Sequence, residues 1–264
     1  MSRRPRICIV TPSLNQASFL ERTVESVLAQ EGDFELDYRV RDGGSTDGSL
    51  QILERYAGRL RFESGPDGGQ ADAVNRGLEA ADADVVGWVN SDDLLRPGAL
   101  ARVAAAFRDD PALWWVHGRC DIVDAVDRPI RRWVAAYKDF RCRRYSYRAL
   151  LLENFVSQMT VFWRRAAHEQ VGYLDTSLRY AFDYEFWLRL GALGAPRFID
   201  EPQAAFRWYE TSKSGAQFER QFEEDWEAFL RHASPDARLL RWQKRLRSAE
   251  IVGAYRLLRV LRRG

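Results

Sequence analysis

Cysteine is scarce in this chain: Cys8, Cys120 and Cys142 are the only three. They are odd in number, widely spaced and without a CxxC pair. That argues against a disulfide framework or a zinc site and fits a reducing compartment. Histidine is as rare. His117, His168 and His232 are scattered, with no HExxH spacing, and read as structural or surface residues. There is no GxxxxGK[ST] stretch, hence no P-loop. No apolar run approaches the roughly 20 residues of a membrane span. The opening MSRRPRICIV has basic residues but no signal-length apolar region, so the expectation is a cytoplasmic protein. An excess of one charge is missing as well. The net charge is +2, so no global field marks nucleic acid as a partner.

What is present is ordinary for a globular protein: 264 residues, 46% hydrophobic and 30% charged. That length suits one large domain or two small ones. The stretch VVGWVNSDD organises the chain. Val85, Val86, Trp88 and Val89 form a short apolar run, read as a buried parallel strand. It ends abruptly in Asn90, Ser91, Asp92 and Asp93, at the carboxyl edge where open α/β sheets bind ligands. Two adjacent carboxylates repel each other, and a divalent cation gives them a reason to be there. The competing reading is that one of them caps the helix beginning near Pro97.

Three further strand-then-helix units precede this one. Ile7–Val10 ends in Thr11, Pro12, Ser13, Leu14 and Asn15, and a helical pattern runs from 18 to 29. Tyr38 and Val40 lead into DGGSTDG, whose Asp47 can cap the next helix. This loop is not a calcium loop, because Gly44 and Thr46 stand where carboxylates are needed. Leu60–Glu63 leads into Gly65–Gly69 and a helix carrying Gln70, Asp72, Asn75 and Arg76. Four alternations of strand and helix predict right-handed crossovers and a mostly parallel sheet. Thr11, Asp42, Asp67, Asp92 and Asp93 then gather along one rim, as in a nucleotide-plus-metal site.

From Leu113 the pattern changes. Trp114–Val116, Cys120–Val123 and Ile130–Val134 read as short antiparallel strands, with another at Val161–Trp163. Arg141–Arg148 is a basic and aromatic patch, weak evidence for RNA. A helix is expected over 178–193, with Asp183 and Glu185 among aromatic residues. At least one of these acids faces a cleft, unless both lie on a solvated face. Two helices follow, over 216–231 and from 236 to the end. The last interleaves Leu239, Trp242, Leu246 and Tyr255 with nine arginines and lysines against Glu250 alone. It reads either as a basic amphipathic helix on an anionic membrane surface or as a helix packed on the domain with solvated arginines.

Four stretches together resemble glycosyltransferase family 2, of the GT-A fold: IVTPSLN, RDGGSTDGS, ESGPDGGQADAVNRGL with WVNSDD, and FDYEFWLRL. The resemblance spans most of the chain up to about Arg207. It implies an α/β fold with a nucleotide-sugar half (1–110), a smaller antiparallel acceptor half (111–207) and a helical C-terminal extension (208–264). Thr11, Pro12 and Asp42 would hold the nucleotide, with Ser13, Asp67, Gln70 and Asn75 on the same donor side. NSDD takes the DxD role, with Asp93 and Asp92 meeting Mn²⁺ or Mg²⁺ and the sugar-nucleotide. Asp183 matches the family's base. ENFVSQMTVFWRR is similar to the acceptor wall of enzymes that build bacterial surface polysaccharides. The chain departs from the pattern at three places. Gly43 and Asn90 stand where acids are common, and Tyr209 where a histidine is; Lys213, a few residues on, could neutralise the diphosphate.

The implied activity is that of an inverting hexosyl- or related transferase, metal-dependent, making polysaccharide or glycolipid. A nucleotide-diphosphate sugar is the donor and a saccharide or lipid-linked molecule the acceptor. The implied place is cytoplasmic, peripheral on the inner face of the membrane. In that scheme a metal on Asp93 bridges the diphosphate, Asp92 orients ribose or sugar, and Asp183 takes the acceptor proton, with Glu185 as the runner-up. A nucleotidyltransferase is the rival enzyme, but TPSLNQ lacks the basic, Gly-rich loop that a triphosphate needs. A nucleotide-sugar-binding protein without turnover is the non-enzymatic rival.

Overall fold

The computed structural model describes residues 3–209 and 218–261; Lys213 lies outside them. The chain order is β1 (Arg6–Ser13), α1 (Ala17–Leu28), β2 (Glu35–Asp42), α2 (Ser49–Arg55), β3 (Arg61–Ser64), α3 (Gln70–Glu79), β4 (Val85–Trp88), β5 (Leu94–Leu95) and α4 (Ala99–Asp109). There follow β6 (Trp115–Val123), α5 (Arg132–Arg143), α6 (Tyr147–Leu152), a 3₁₀ turn (Gln158–Thr160), β7 (Phe162–Arg164), α7 (Ala167–Val171), α8 (Phe182–Leu193), β8 (Arg197–Arg207), α9 (Phe218–His232) and α10 (Arg238–Leu261).

Among the described residues, eight strands form one sheet in the order β3-β2-β1-β4-β7-β6-β8-β5. The β3, β2, β1 and β4 strands run parallel. The second half is antiparallel where β7 joins β4 and β6 and where β5 joins β8. Its longest pairing, β6 with β8, is parallel. Alternate residues of each buried strand serve opposite faces. Ile7, Ile9 and Val85 pack with α1, α2 and α4 on one side. Cys8, Val10, Val86 and Trp88 pack with α3, α6, α8 and α9 on the other. The α3 helix sits so close to β1 that a Cβ on Gly77 would fall 2.6 Å from Val10 Cγ1. Four buried tryptophans, Trp88, Trp115, Trp163 and Trp187, fill the second face, with Trp88 stacked on Trp187 at 5.4 Å.

The sequence reading is corrected in two places. The runs at 114–116 and 120–123 are one continuous strand, β6, interrupted only by register shifts between Gly118 and Cys120. The extra residues at those shifts lie on β8, and β6 reads as two runs because His117, Gly118 and Arg119 separate its apolar stretches. The run Ile130–Val134 is no strand. Ile130 does donate to the Ile122 carbonyl at 2.8 Å, but Arg131 then turns left-handed (φ 48°) and α5 begins at Arg132. That reversal ends the pairing after one residue.

Candidate active site

A cleft of about 1250 Å³ opens along the carboxyl ends of β1 and β4. Its first wall is made by Pro12 and Ser13 at the end of β1, Asp67–Gln70 before and into α3, and Asn90, Ser91 and Asp92 after β4. Gly69 enters α3 with φ 107°, a conformation open chiefly to glycine. The second wall comes from α5, residues 152–159, the 176–183 segment with Asp183, Phe206, Trp208 and Tyr209, and parts of α9 and α10.

The NSDD turn is held from several directions. Thr23 of α1 donates to the carbonyls of Ser91 and Asp93, 2.8 Å from each. Asp93 is wholly buried. Its Oδ1 receives the Arg207 N–H at 2.9 Å and its Oδ2 the Asn90 side chain at 3.2 Å. The Arg207 guanidinium is itself wholly buried, bonded to the Asp92 carbonyl and to Asp127, and lies 4.7 Å from the Phe19 ring centroid. Asn90 accepts from Gln70 Nε2 at 2.7 Å. Asp92 therefore is the carboxylate on the cleft wall, while Asp93 is fastened behind it.

Burial pushes the Asp92 carboxyl above its ordinary range, against the pull of the Tyr209 hydroxyl and Arg207. Burial and then the neighbouring Asp92 push Asp93 well above it. The Tyr209 hydroxyl donates to Asp92 Oδ2 at 2.8 Å. Tyr209, which the resemblance marked as a departure from the family pattern, thus touches the acid of the turn.

No three His, Cys, Asp or Glu side chains gather into a metal cage among the described residues. A hard cation that keeps waters and takes substrate phosphates needs only one or two protein carboxylates. Asp92, held on the wall against a desolvation penalty that a cation would relieve, fits Mn²⁺ or Mg²⁺ on that basis.

The remaining donor-side residues divide. Ser13, Asp67 and Gln70 line the cleft, and Ser13 Oγ is buried without a partner among the described residues. Asp67 also borders a cavity of about 110 Å³ that it shares with Asp42. Asp42 braces its own loop, accepting from the N–H groups of Gly44 and Ser45 and from the Ser45 and Ser64 hydroxyls. Thr11 is buried against the Tyr38 hydroxyl at 3.1 Å. Asn75 brackets the Leu174 backbone, donating at 2.9 Å and accepting at 3.0 Å. Neither Thr11 nor Asn75 lines the cleft.

On the acceptor side, Asp183 lies in the first turn of α8, half-buried and on the wall. Glu185 is turned away and buried, tied to Arg189 at 2.7 Å and to His232 at 3.0 Å. Burial pushes its pKa up, but those partners outweigh it and hold the carboxyl low. Sequence reasoning missed Trp208, Asp225 and Lys244 on this wall; their signal is a position on a helix face or strand end that only packing reveals.

The chain matches the family model described as "Glycosyl transferase family 2" over residues 8–171. It is 28% identical over 204 residues to hyaluronan synthase of Pasteurella multocida, covering 76% of this chain and 20% of that protein. A PGL/p-HBAD biosynthesis glycosyltransferase of Mycobacterium bovis is 31% identical over 192 residues, covering 70% of this chain and 69% of the relative. This chain thus spans about a fifth of the first and about two thirds of the second. Two solved structures share the fold. Staphylococcus aureus TarS 1–349 in complex with UDP-GlcNAc has TM-score 0.63 and 19% identity, covering 94% of this chain and 71% of that one. The mannosyltransferase PcManGT from Pyrobaculum calidifontis, in complex with GDP-Man and Mn²⁺, has TM-score 0.60 and 16% identity, covering 97% and 81%. With the strand-end cleft and the NSDD turn in place, these matches make the chain a member of glycosyltransferase family 2 with the GT-A fold.

Proposed function

We propose that the chain is an inverting, metal-dependent glycosyltransferase that moves a sugar from a nucleotide-diphosphate donor to an acceptor hydroxyl, in the making of a polysaccharide or glycolipid. One observation carries this reading: Asp92 and Asp183 both line a single cleft. Pro12, Ser13, Asp67 and Gln70 would receive the nucleotide and sugar. Asp92 would hold the cation, and Asp93 would fix the turn that presents it. That exchanges the emphasis the sequence placed on the two, because Asp93 is wholly buried. When bound, the cation would neutralise charge on the diphosphate leaving group. Asp183 would take the proton of the acceptor hydroxyl as its oxygen attacks the anomeric carbon. The anomeric C–O bond then breaks, and its electron pair leaves with the nucleoside diphosphate. A single displacement needs one base and inverts the configuration.

The test is turnover of a UDP- and GDP-sugar panel, with Mn²⁺ and with excess chelator. Turnover of at least one donor, lost with chelator, is expected. Binding without turnover would favour the binding-protein reading, and full activity in chelator would remove the metal.

We also propose that α10 rests on an anionic membrane surface at the cytoplasmic face. No helix among the described residues is long and apolar enough to cross a membrane. Leu239, Trp242 and Leu246 are exposed at helical spacing beside Arg238 and Arg245, the pattern of an interfacial helix. A lipid-linked acceptor would then lie within reach. Three free, buried cysteines accord with a reducing compartment. Sedimentation with anionic but not neutral vesicles at low salt is the check.

A further inference from the structure

The sequence sets residues 208–264 apart as an extension, yet α9 and α10 reach into the cleft. Glu224 of α9 accepts the N–H groups of Arg179, Tyr180 and Ala181 at 3.1, 2.6 and 2.9 Å. It thereby clamps the segment from which Asp183 follows. The next residue, Asp225, lines the cleft and is only 4% exposed. Its Oδ1 has no hydrogen-bond partner among the described residues. A buried carboxylate so placed costs free energy and calls for a reason.

Lys244 of α10 also lines the cleft and is buried, and its Nζ bonds the Tyr184 hydroxyl at 3.2 Å. Burial lifts Asp225 to about 7, with Lys244 opposing and the charges of Asp183 and Glu224 adding to the rise. Asp225 and Asp183 line the same cleft. On the same wall, Asn154 Oδ1 and Gln158 Oε1 are likewise buried without partners among the described residues. Three residues that line one cleft thus each keep a buried acceptor atom unpaired among the described residues, and a ligand that donates hydrogen bonds, as sugar hydroxyls do, would satisfy those it reaches.

We infer that the α9–α10 pair completes the acceptor site: Asp225 receives a hydrogen bond from a sugar hydroxyl next to the one that Asp183 deprotonates, and the site takes neutral sugars in preference to uronic acids. This rests on the glycosyltransferase reading above. The preference follows because an acceptor carboxylate would meet Asp183 and Asp225 together in a desolvated cleft.

The test uses the full chain, the sugar nucleotide it hydrolyses, and an array of octyl glycosides of neutral hexoses, N-acetylhexosamines and uronic acids. We expect Asp225→Asn to raise the acceptor KM about tenfold or more, the scale of one lost hydrogen bond to a charged group. Donor KM and slow donor hydrolysis should stay within about twofold, and the preference for neutral over uronic glycosides should narrow. Thermal stability should hold or rise, because a buried charge has been removed. An unchanged acceptor KM overturns the inference. So does a variant that loses stability, donor hydrolysis and transfer together, which marks a structural residue. Donor hydrolysis with transfer to no glycoside overturns it too. Failure to hydrolyse or transfer from any donor would instead remove the glycosyltransferase reading itself.

Discussion

The two walls of the cleft are built in different ways. The donor wall consists of turns that follow strands β1 and β4 and precede α3. Each is a local device: an apolar strand stops, and a polar turn begins. The acceptor wall is drawn from α5, α8, α9 and α10 and from the end of β8, so Asp183 and Lys244 face one space from distant parts of the chain. The acids differ accordingly. On the donor side Asp42 and Asp93 are bonded to backbone and side chains that shape the turns. On the acceptor side Asp225 keeps a buried oxygen unpaired among the described residues. The acids of the donor turns are bonded by their own turns and by the β8 end packed on them, whereas a helix can carry an acid into a cleft and leave it for a ligand.

If the walls divide the work, damage to one should spare the other. The largest separation is expected for Asp183→Asn. Transfer should fall by about 10²–10⁴-fold, the usual worth of a positioned base, with donor binding intact. Glu185→Gln should act on stability, since its partners are Arg189 and His232. Single-turnover transfer and donor titration decide this, and loss of donor binding in Asp183→Asn would erase the division.

Next comes Asp92→Asn, which should remove Mn²⁺-dependent donor binding and cost about 10²–10³-fold in transfer, as for one preorganised electrostatic group. Asp93→Asn should lower the urea midpoint more than it lowers Mn²⁺ affinity. If the two variants behave the other way round, Asp93 is the ligand after all.

Tyr209→Phe removes the hydroxyl that reaches Asp92. Groups that orient a metal ligand typically carry about 10–100-fold in affinity, and Mn²⁺ titration should fall near the lower end. Acceptor KM should not move.

The smallest effect lies outside both walls. His117 is wholly buried, and neither ring nitrogen has a hydrogen-bond partner among the described residues. Burial lowers its pKa from 6.5 to about 3. The unfolded chain therefore takes up a proton below about 6.5 that the folded chain refuses until about 3. Stability should fall as pH drops through that window. His117→Leu should stabilise the fold by about 1 kcal/mol at pH 8 and by more at pH 4.5. Urea unfolding at the two pH values checks it, and catalysis should be unaffected.

What could be read from the residues and what could not follows the same line. Strand-end turns are local. The alternation of apolar runs with turn residues announced the parallel half, and TPS, PDG and NSDD announced one rim. Family motifs carried the rest of the core as far as FDYEFWLRL. Local pattern failed in two places: the polar His117–Arg119 stretch split the single strand β6 in the reading, and left-handed Arg131 turned an expected strand into α5.

Charge type and position along the chain determined that Asp92, Asp93 and Asp183 were acids at element ends. Only the tertiary structure decided which of them meets the cleft. It turned Asp92 outward and Asp93 inward onto the Arg207 backbone, and it tied Glu185 away from Asp183. It also bonded Asn75 to Leu174 and brought Asp225 and Lys244 from the last two helices to the acceptor wall. The physical reason is that a turn's geometry depends on a few neighbouring φ and ψ values. The direction in which a helical side chain points is set instead by how the whole helix packs, and the contacts that settle it lie far away in sequence.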